Sequence, residues 1–268
     1  MHITQETRPF VAPGLHVSHS QVATYLICPE RYRLQYVRGL TPSHRAGDMI
    51  FGSVIHRTLA FFHQSVKDFK EPPPLESLLG CFHELLEYEQ RGRIPILWAD
   101  EDAPQNMEER GRELLRLYSE QPQPEVLGVE QRFEVEPHQL PKGFALDQPL
   151  VGVIDVVERD PDGTLWVTEL KTAARKFDAT RLRYDLQLGI YAAVRNAIGL
   201  HDAKMRFRVL VKTKQPRIET YDVARDTPQV AETGRVVTQV LRAIDKSIFY
   251  PNRGWACGTC PFRSMCGE

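Results

Sequence analysis

Apolar positions recur with helical spacing in the chain before Val126 and with strand spacing through much of the remainder. Ser18 and Ser20 carry hydroxyls suited to capping a helix N-terminus, and Val22, Tyr25, Leu26, Tyr32 and Tyr36 then keep a period near 3.6 up to Gly39. Pro29 divides that run. A second helix is predicted from near Gly52, with Ile55, Leu59, Phe62, Val66 and Phe69 on one stripe. It must stop before Pro72-Pro73-Pro74, because proline supplies no backbone donor. Leu75, Leu78, Leu79, Phe82, Leu85 and Leu86 mark a third helix, and a fourth is predicted around residues 107–118. Beyond it the period shortens to two, predicting strands at 126–136, 149–158 and 165–171. A helix bearing Leu186, Ile190, Tyr191 and Val194 comes next, then the alternating stretch 205–211 and a further strand at 217–223. Thr227-Pro228 opens a last helix through Val236, Val237, Val240, Leu241 and Ile244. The order strand, strand, strand, helix, strand makes this an α/β chain. We expect one domain over 1–268, with residues 70–125 as a helical insertion.

Composition adds bounds. At 268 residues and 42% hydrophobic content the chain can bury a substantial core. No apolar run approaches the length of a membrane span, and Met1-His2-Ile3-Thr4-Gln5-Glu6 lacks a basic and then apolar leader, so a cytoplasmic protein is expected. Five cysteines in a reducing compartment favour metal ligation over a disulfide framework. The net charge of -1 conceals a segregation: residues 76–138 hold fifteen acidic and six basic side chains, whereas 171–217 hold twelve basic and three acidic. A basic stretch of that kind suits a phosphate backbone, since Lys and Arg displace its condensed counterions.

The candidate chemistry lies where the basic half begins. Asp160-Pro161-Asp162-Gly163 is a turn signal, because Pro presets φ, Asp accepts local hydrogen bonds and Gly tolerates positive φ. A hairpin around it sets Asp155 opposite Thr168 or Glu169, and either register makes the two carboxylates cross-strand neighbours. Glu169 and Lys171 share a face while Leu170 points away. Two acids and an ammonium form a cup for a divalent metal, although an isolated Glu-x-Lys would read as a surface ion pair. At the C-terminus Cys257, Cys260 and Cys266 fall within ten residues, and Cys28 is the natural fourth thiol. Zinc and a cubane iron-sulfur cluster both accept four cysteines; the grouping favours the cluster, which would join the N-terminal helix to the chain end. Cys81, beside the apolar stripe of the third helix, reads as a small buried thiol.

Five elements now stand in order: Cys28-Pro29 with Tyr32; Gly52-Ser53-Val54-Ile55-His56; Gly152-Val153-Ile154-Asp155 followed by Glu169-Leu170-Lys171; Gln187-Leu188-Gly189-Ile190-Tyr191; and the three terminal cysteines. Over nearly its whole length the chain resembles the RecB-like branch of the PD-(D/E)XK nuclease superfamily. The iron-sulfur members are the most similar: CRISPR-associated RecB-like exonucleases, the AddB nuclease domain and exonuclease V. The resemblance implies a restriction-endonuclease-like core, a mixed central sheet flanked by helices, with a cluster joining the terminal segments. It implies catalysis by Asp155, Glu169 and Lys171, with His56, Asp155 and Glu169 as ligands of Mg2+ or Mn2+ and Glu130 as a further candidate on the preceding strand. Gln187 and Tyr191, one helical turn apart, would position DNA, and Cys28, Cys257, Cys260 and Cys266 would hold a [4Fe-4S] cluster. The expected activity is metal-dependent exonucleolytic cleavage of single-stranded or frayed DNA ends. Alternatives are end trimming in a CRISPR spacer-acquisition complex beside an integrase, work beside a helicase, or a noncatalytic DNA-binding scaffold. The helical section at 70–125 is longer than in the compact CRISPR-associated members, and no helicase-type phosphate loop is present.

Overall fold

The computed structural model describes residues 16–98 and 104–266; Met1 to Glu6, the segment without a leader pattern, lie outside them. The chain enters through a short strand β1 (Val17–Ser18) and helix α1 (His19–Ile27), whose capping box joins Ser18 and Gln21. Pro29 starts a separate helix α2 (Pro29–Tyr32) that runs into a π-helical turn at Arg33–Val37. After β2 (Arg45–Ala46) come the long α3 (Gly47–Phe69) and α4 (Leu75–Gln90), and then β3 (Ile96–Leu97) and α5 (Pro104–Ser119). Strands β4 (Glu125–Val135), β5 (Leu150–Arg159) and β6 (Leu165–Ala173) follow. The remainder is α6 (Ala179–Tyr184), α7 (Leu186–Val194), β7 (Lys204–Val211), β8 (Arg217–Val223) and α8 (Thr227–Asp245).

α3 starts five residues ahead of the predicted Gly52, because Ile50 and Phe51 already pack into the core. Its stripe runs off the core at Val66, leaving Phe69 75% exposed. Cys81 is half-buried and packs against the cluster below α4, close to its expected place. The short α6 was not anticipated: its six residues are too few to display a period.

β4, β5, β6, β7 and β8 lie side by side in one mixed sheet. Only the β6–β7 neighbours in that row are parallel, with α6 and α7 in the crossover. Apolar residues of α1, α7 and α8 share one core cluster with Val167 of β6 and Phe207 and Val209 of β7. α3, α4 and α5 share a second with Val156 of β5, Leu170 of β6 and Leu210 of β7. The odd–even split along β6 and β7 is the pleat of strands buried on both faces. Among the described residues no helix is long and apolar enough to cross a membrane.

One irregularity positions the site. β5 pairs with β6 only from Val156↔Thr168 to Arg159↔Leu165, while β1 lies beside Leu150 and Val151. The two strands therefore part at Asp155 and Glu169, the next pair in the register. The turn is as predicted: Gly163 N–H donates to Asp160 O at 2.9 Å, Asp162 Oδ1 accepts from Thr164 N–H, and Gly163 has φ +87°.

Candidate active site

Of the two registers the sequence allowed, the structure takes the one that faces Asp155 with Glu169. In place of a ladder bond, Leu170 N–H donates to Asp155 Oδ2 at 2.8 Å, so the carboxylate caps the strand edge where β5 turns away. His56, on α3, approaches the same oxygen with Nδ1 at 3.4 Å. Glu169 is 2% exposed. Lys171 Nζ donates to Glu169 Oε1 at 2.6 Å and to Gln187 Oε1 at 2.7 Å. Gln187 Nε2 donates in turn to the Tyr191 hydroxyl at 2.8 Å. That hydroxyl faces two acceptors, Val153 O at 2.6 Å and Glu169 Oε2 at 2.9 Å. α7 owes this placement to Asp185, whose carboxylate caps its N-terminus by accepting from Leu188 N–H.

Charge is unbalanced here. Burial, with Asp155 adding to it, pushes Glu169 up to about 7 against the pull of Lys171. The hydrogen bonds agree: one phenolic proton cannot serve both acceptors, so a proton on Glu169 completes the contact to Tyr191. Burial works against the Lys171 charge, but Glu169 outweighs it and the ammonium is held above its ordinary value. For His56, too, burial opposes the charged form while Asp155 and Glu169 raise the imidazole overall. A cup that retains a proton up to neutrality lacks positive charge, and two carboxylates with one imidazole are hard-to-borderline donors that fit Mg2+ or Mn2+. The side chains as they stand do not form a ready-made coordination set, since Lys171 and Tyr191 engage both Glu169 oxygens and, among the described residues, no three His, Cys, Asp or Glu converge as ion ligands.

Glu130 lies across β4 from Asp155, between the pairs Val129↔Val156 and Gln131↔Ile154; it is exposed, with φ +46°. One neighbour escaped the sequence reading. His19 is pushed down to about 4 by burial and by Lys171, with Asp185 opposing. It opens α1 directly after the strand that takes over beside β5, and only that pairing reveals its nearness to the site.

The four cysteines come together elsewhere. Cys28, Cys257, Cys260 and Cys266 line one cavity of about 270 Å³ with Glu30, Arg31 and Arg253. Asn252 N–H points at Cys28 Sγ (3.4 Å) and Gly254 N–H at Cys257 Sγ (3.5 Å). The chain ends are already tied there: Tyr25 hydroxyl donates to Ile248 O at 2.6 Å and Glu30 N–H to Tyr250 O at 3.1 Å. The four thiols line the same cavity but, among the described residues, do not converge on one point as a ready-made metal site.

The basic segment needs a correction. Arg206 and Arg208 are 6% and 7% exposed, and both pair with the buried Glu158. They serve the core and are not free to meet a phosphate backbone.

No curated protein matches the sequence. Among solved structures, the crystal structure of "Putative exonuclease" from Eubacterium rectale aligns with a TM-score of 0.56 at 14% identity, covering 99% of this chain and 93% of that one. The crystal structure of SSO0001 aligns with a TM-score of 0.41 at 15% identity, over 96% of this chain and 88% of that one. The model of the PD-(D/E)XK nuclease superfamily matches residues 16–267. With two carboxylates and a lysine set where two strands of a mixed sheet part, and the family model covering all but the chain's extremities, this chain belongs to the PD-(D/E)XK nuclease superfamily.

Proposed function

We propose that the protein is a divalent-metal-dependent deoxyribonuclease working from single-stranded or frayed DNA ends, and that its four clustered cysteines hold a [4Fe-4S] group. The observation that carries the first half is the cup itself, where opposed Asp155 and Glu169 outnumber Lys171 and Glu169 retains a proton to about 7.

Each side chain then has a task. Lys171, partly exposed and fixed from both sides by Glu169 and Gln187, meets the incoming phosphate or orients the attacking water. Mg2+ or Mn2+, held by Asp155, Glu169 and His56 with Glu130 as a further candidate, would supply the charge that polarises the phosphate and acidifies that water. Tyr191 and Gln187 are positioning residues, holding Glu169 and Lys171 in register. His56 steadies Asp155 from α3. No protein nucleophile is required, since water attacks.

The grouping of three thiols near the chain end with a distant fourth, Cys28, lining the same cavity, supports a cluster over zinc. Such a cluster would fasten the tail to α1 and α2. Brown protein carrying iron and acid-labile sulfide is the expected result; zinc alone would overturn it. For the activity, end-labelled single-stranded DNA, and duplex DNA with frayed ends, should be shortened by the wild type in Mn2+ and left intact by Glu169→Ala. No cleavage of either substrate by the wild type would defeat the proposal.

A further inference from the structure

Between Lys171 and Gln187 the chain crosses the surface beside the site. Arg175, Lys176, Arg181 and Arg183 all have exposed side chains there. The acids in the stretch are committed: Asp178 caps α6 by accepting from Arg181 N–H at 2.8 Å, and Asp185 caps α7. The backbone is anchored at both ends. Phe177 is buried against the rings of Phe207 (5.3 Å) and Tyr221 (5.9 Å), and its N–H donates to the Tyr221 hydroxyl. Arg225 Nη2 donates to Leu182 O at 2.7 Å and Asp185 O at 3.2 Å, fixing the residues on either side of Arg183 and Tyr184. Tyr184 is nevertheless 58% exposed, three positions before the residue that holds Lys171, and the Arg183 guanidinium lies 5.6 Å from its ring centroid.

An aromatic face on an anchored backbone loses little freedom when it binds, and every base offers a face to stack on it. The surrounding cations supply the sequence-independent attraction for phosphates. A duplex keeps its bases stacked on one another, so such a ring gains most from a single strand. We infer that residues 175–184 form the track along which a single DNA strand reaches the site, with Tyr184 stacking on a base beside the cleaved phosphodiester; this rests on the nuclease reading above.

The test uses Glu169→Gln protein and a single-stranded oligonucleotide carrying 2-aminopurine near its end. Binding should quench the fluorescence. In the same background Tyr184→Ala should abolish the quench and weaken single-strand binding about tenfold, with duplex binding unchanged. Tyr184→Trp should restore both, and Arg183→Gln should lower the slope of log affinity against log salt by about 0.7. A Tyr184→Ala protein that binds and quenches like its parent, or that loses single-strand and duplex binding alike, overturns the inference. Cleavage by the otherwise native chain separates the two readings: cleavage alongside an indifferent Tyr184→Ala defeats the track alone, whereas a Tyr184-dependent quench without cleavage in Mn2+ defeats the nuclease reading, and with it the track's link to a cleaved bond, leaving only a single-strand contact at Tyr184.

Discussion

Thr168 and Glu169 are neighbours on β6 whose side chains leave opposite faces of the sheet, and each joins a cluster of buried charge. On the Thr168 side, Glu158 Oε1 accepts from Thr168 Oγ1 (2.5 Å), Arg206 Nη2 (2.5 Å) and Arg208 Nη2 (2.9 Å). Asp160 pairs with Arg206 and Tyr118 accepts from Arg208, so two acids meet two guanidiniums. Burial would raise Glu158, yet Arg208 and Arg206 more than reverse it and hold its carboxyl below the ordinary range. Nearby His63, pushed down to about 3 by burial and Arg208, stays neutral. Across the sheet the Glu169 cluster has two carboxylates and one ammonium, and there burial and Asp155 prevail over Lys171. Similar residue types, within a few positions of each other, thus give a closed ionic strut and an open cup. The cation count decides between them.

The largest expected effects come from breaking each cluster. Glu158→Ala leaves two buried guanidiniums without their shared partner and should cost ~3–5 kcal/mol of stability in a urea melt. Asp155→Ala leaves Leu170 N–H without its acceptor but relieves the repulsion on Glu169, so it should cost at most about 1–3 kcal/mol, less than Glu158→Ala, while cleavage of labelled DNA in Mn2+ drops at least about 10³-fold. Equal destabilisation by both substitutions would erase the distinction between strut and cup.

The next effect is one of pH. Without metal, Glu169 binds its proton up to about 7 in the folded chain, against 4.5 when unfolded, so the folded state holds more protons across that window. Its contribution to stability is complete below pH 4.5 and is lost as pH rises through 7. His56, raised above 6.5 in the fold, tilts the slope the same way at the upper end. His19 and His63, held neutral in the fold, tilt stability the other way below pH 6.5, so the test is a difference: the melting temperature of Glu169→Gln relative to wild type should rise between pH 4.5 and 7, and Mn2+ affinity of the wild type should rise through pH 7 as the proton is displaced. The Glu158 side predicts the opposite slope below pH 6.5: its carboxyl stays ionised, while buried His63 remains neutral in the fold and the unfolded imidazole takes up a proton, so stability there falls as pH falls.

What the sequence made legible was whatever is local or periodic. The stripes of α3 and α4, the alternation of β7 and the turn at Pro161 and Asp162 are short-range patterns, and the opposed carboxylates followed from that turn once strand pairing was assumed. The strut was hidden because its partners, Glu158 and Arg206 or Arg208, lie 48 and 50 residues apart and meet only across the β6–β7 pairing. Met205-Arg206-Phe207-Arg208-Val209 reads as a strand with one wet face, yet α3 and α5 cover that face. His19 was invisible for the same reason: β1 has two residues, and only the gap left by β6 brings it beside β5.

The smallest expected effect probes how the cup is held. Tyr191→Phe keeps the ring that packs edge-on against Phe133 at 6.1 Å but removes the hydroxyl shared by Gln187, Val153 and Glu169. Losing those bonds should cost about 1 kcal/mol of stability. If the hydroxyl positions Glu169, Mn2+ affinity should also fall about 10- to 100-fold, the usual penalty for removing a group that orients a ligand. A Tyr191→Phe protein that is less stable yet binds Mn2+ as before would make Tyr191 a packing residue of α7. Glu169 would then be held by Lys171 alone, and the proton at pH 7 would reflect burial and Asp155 without help from the phenol.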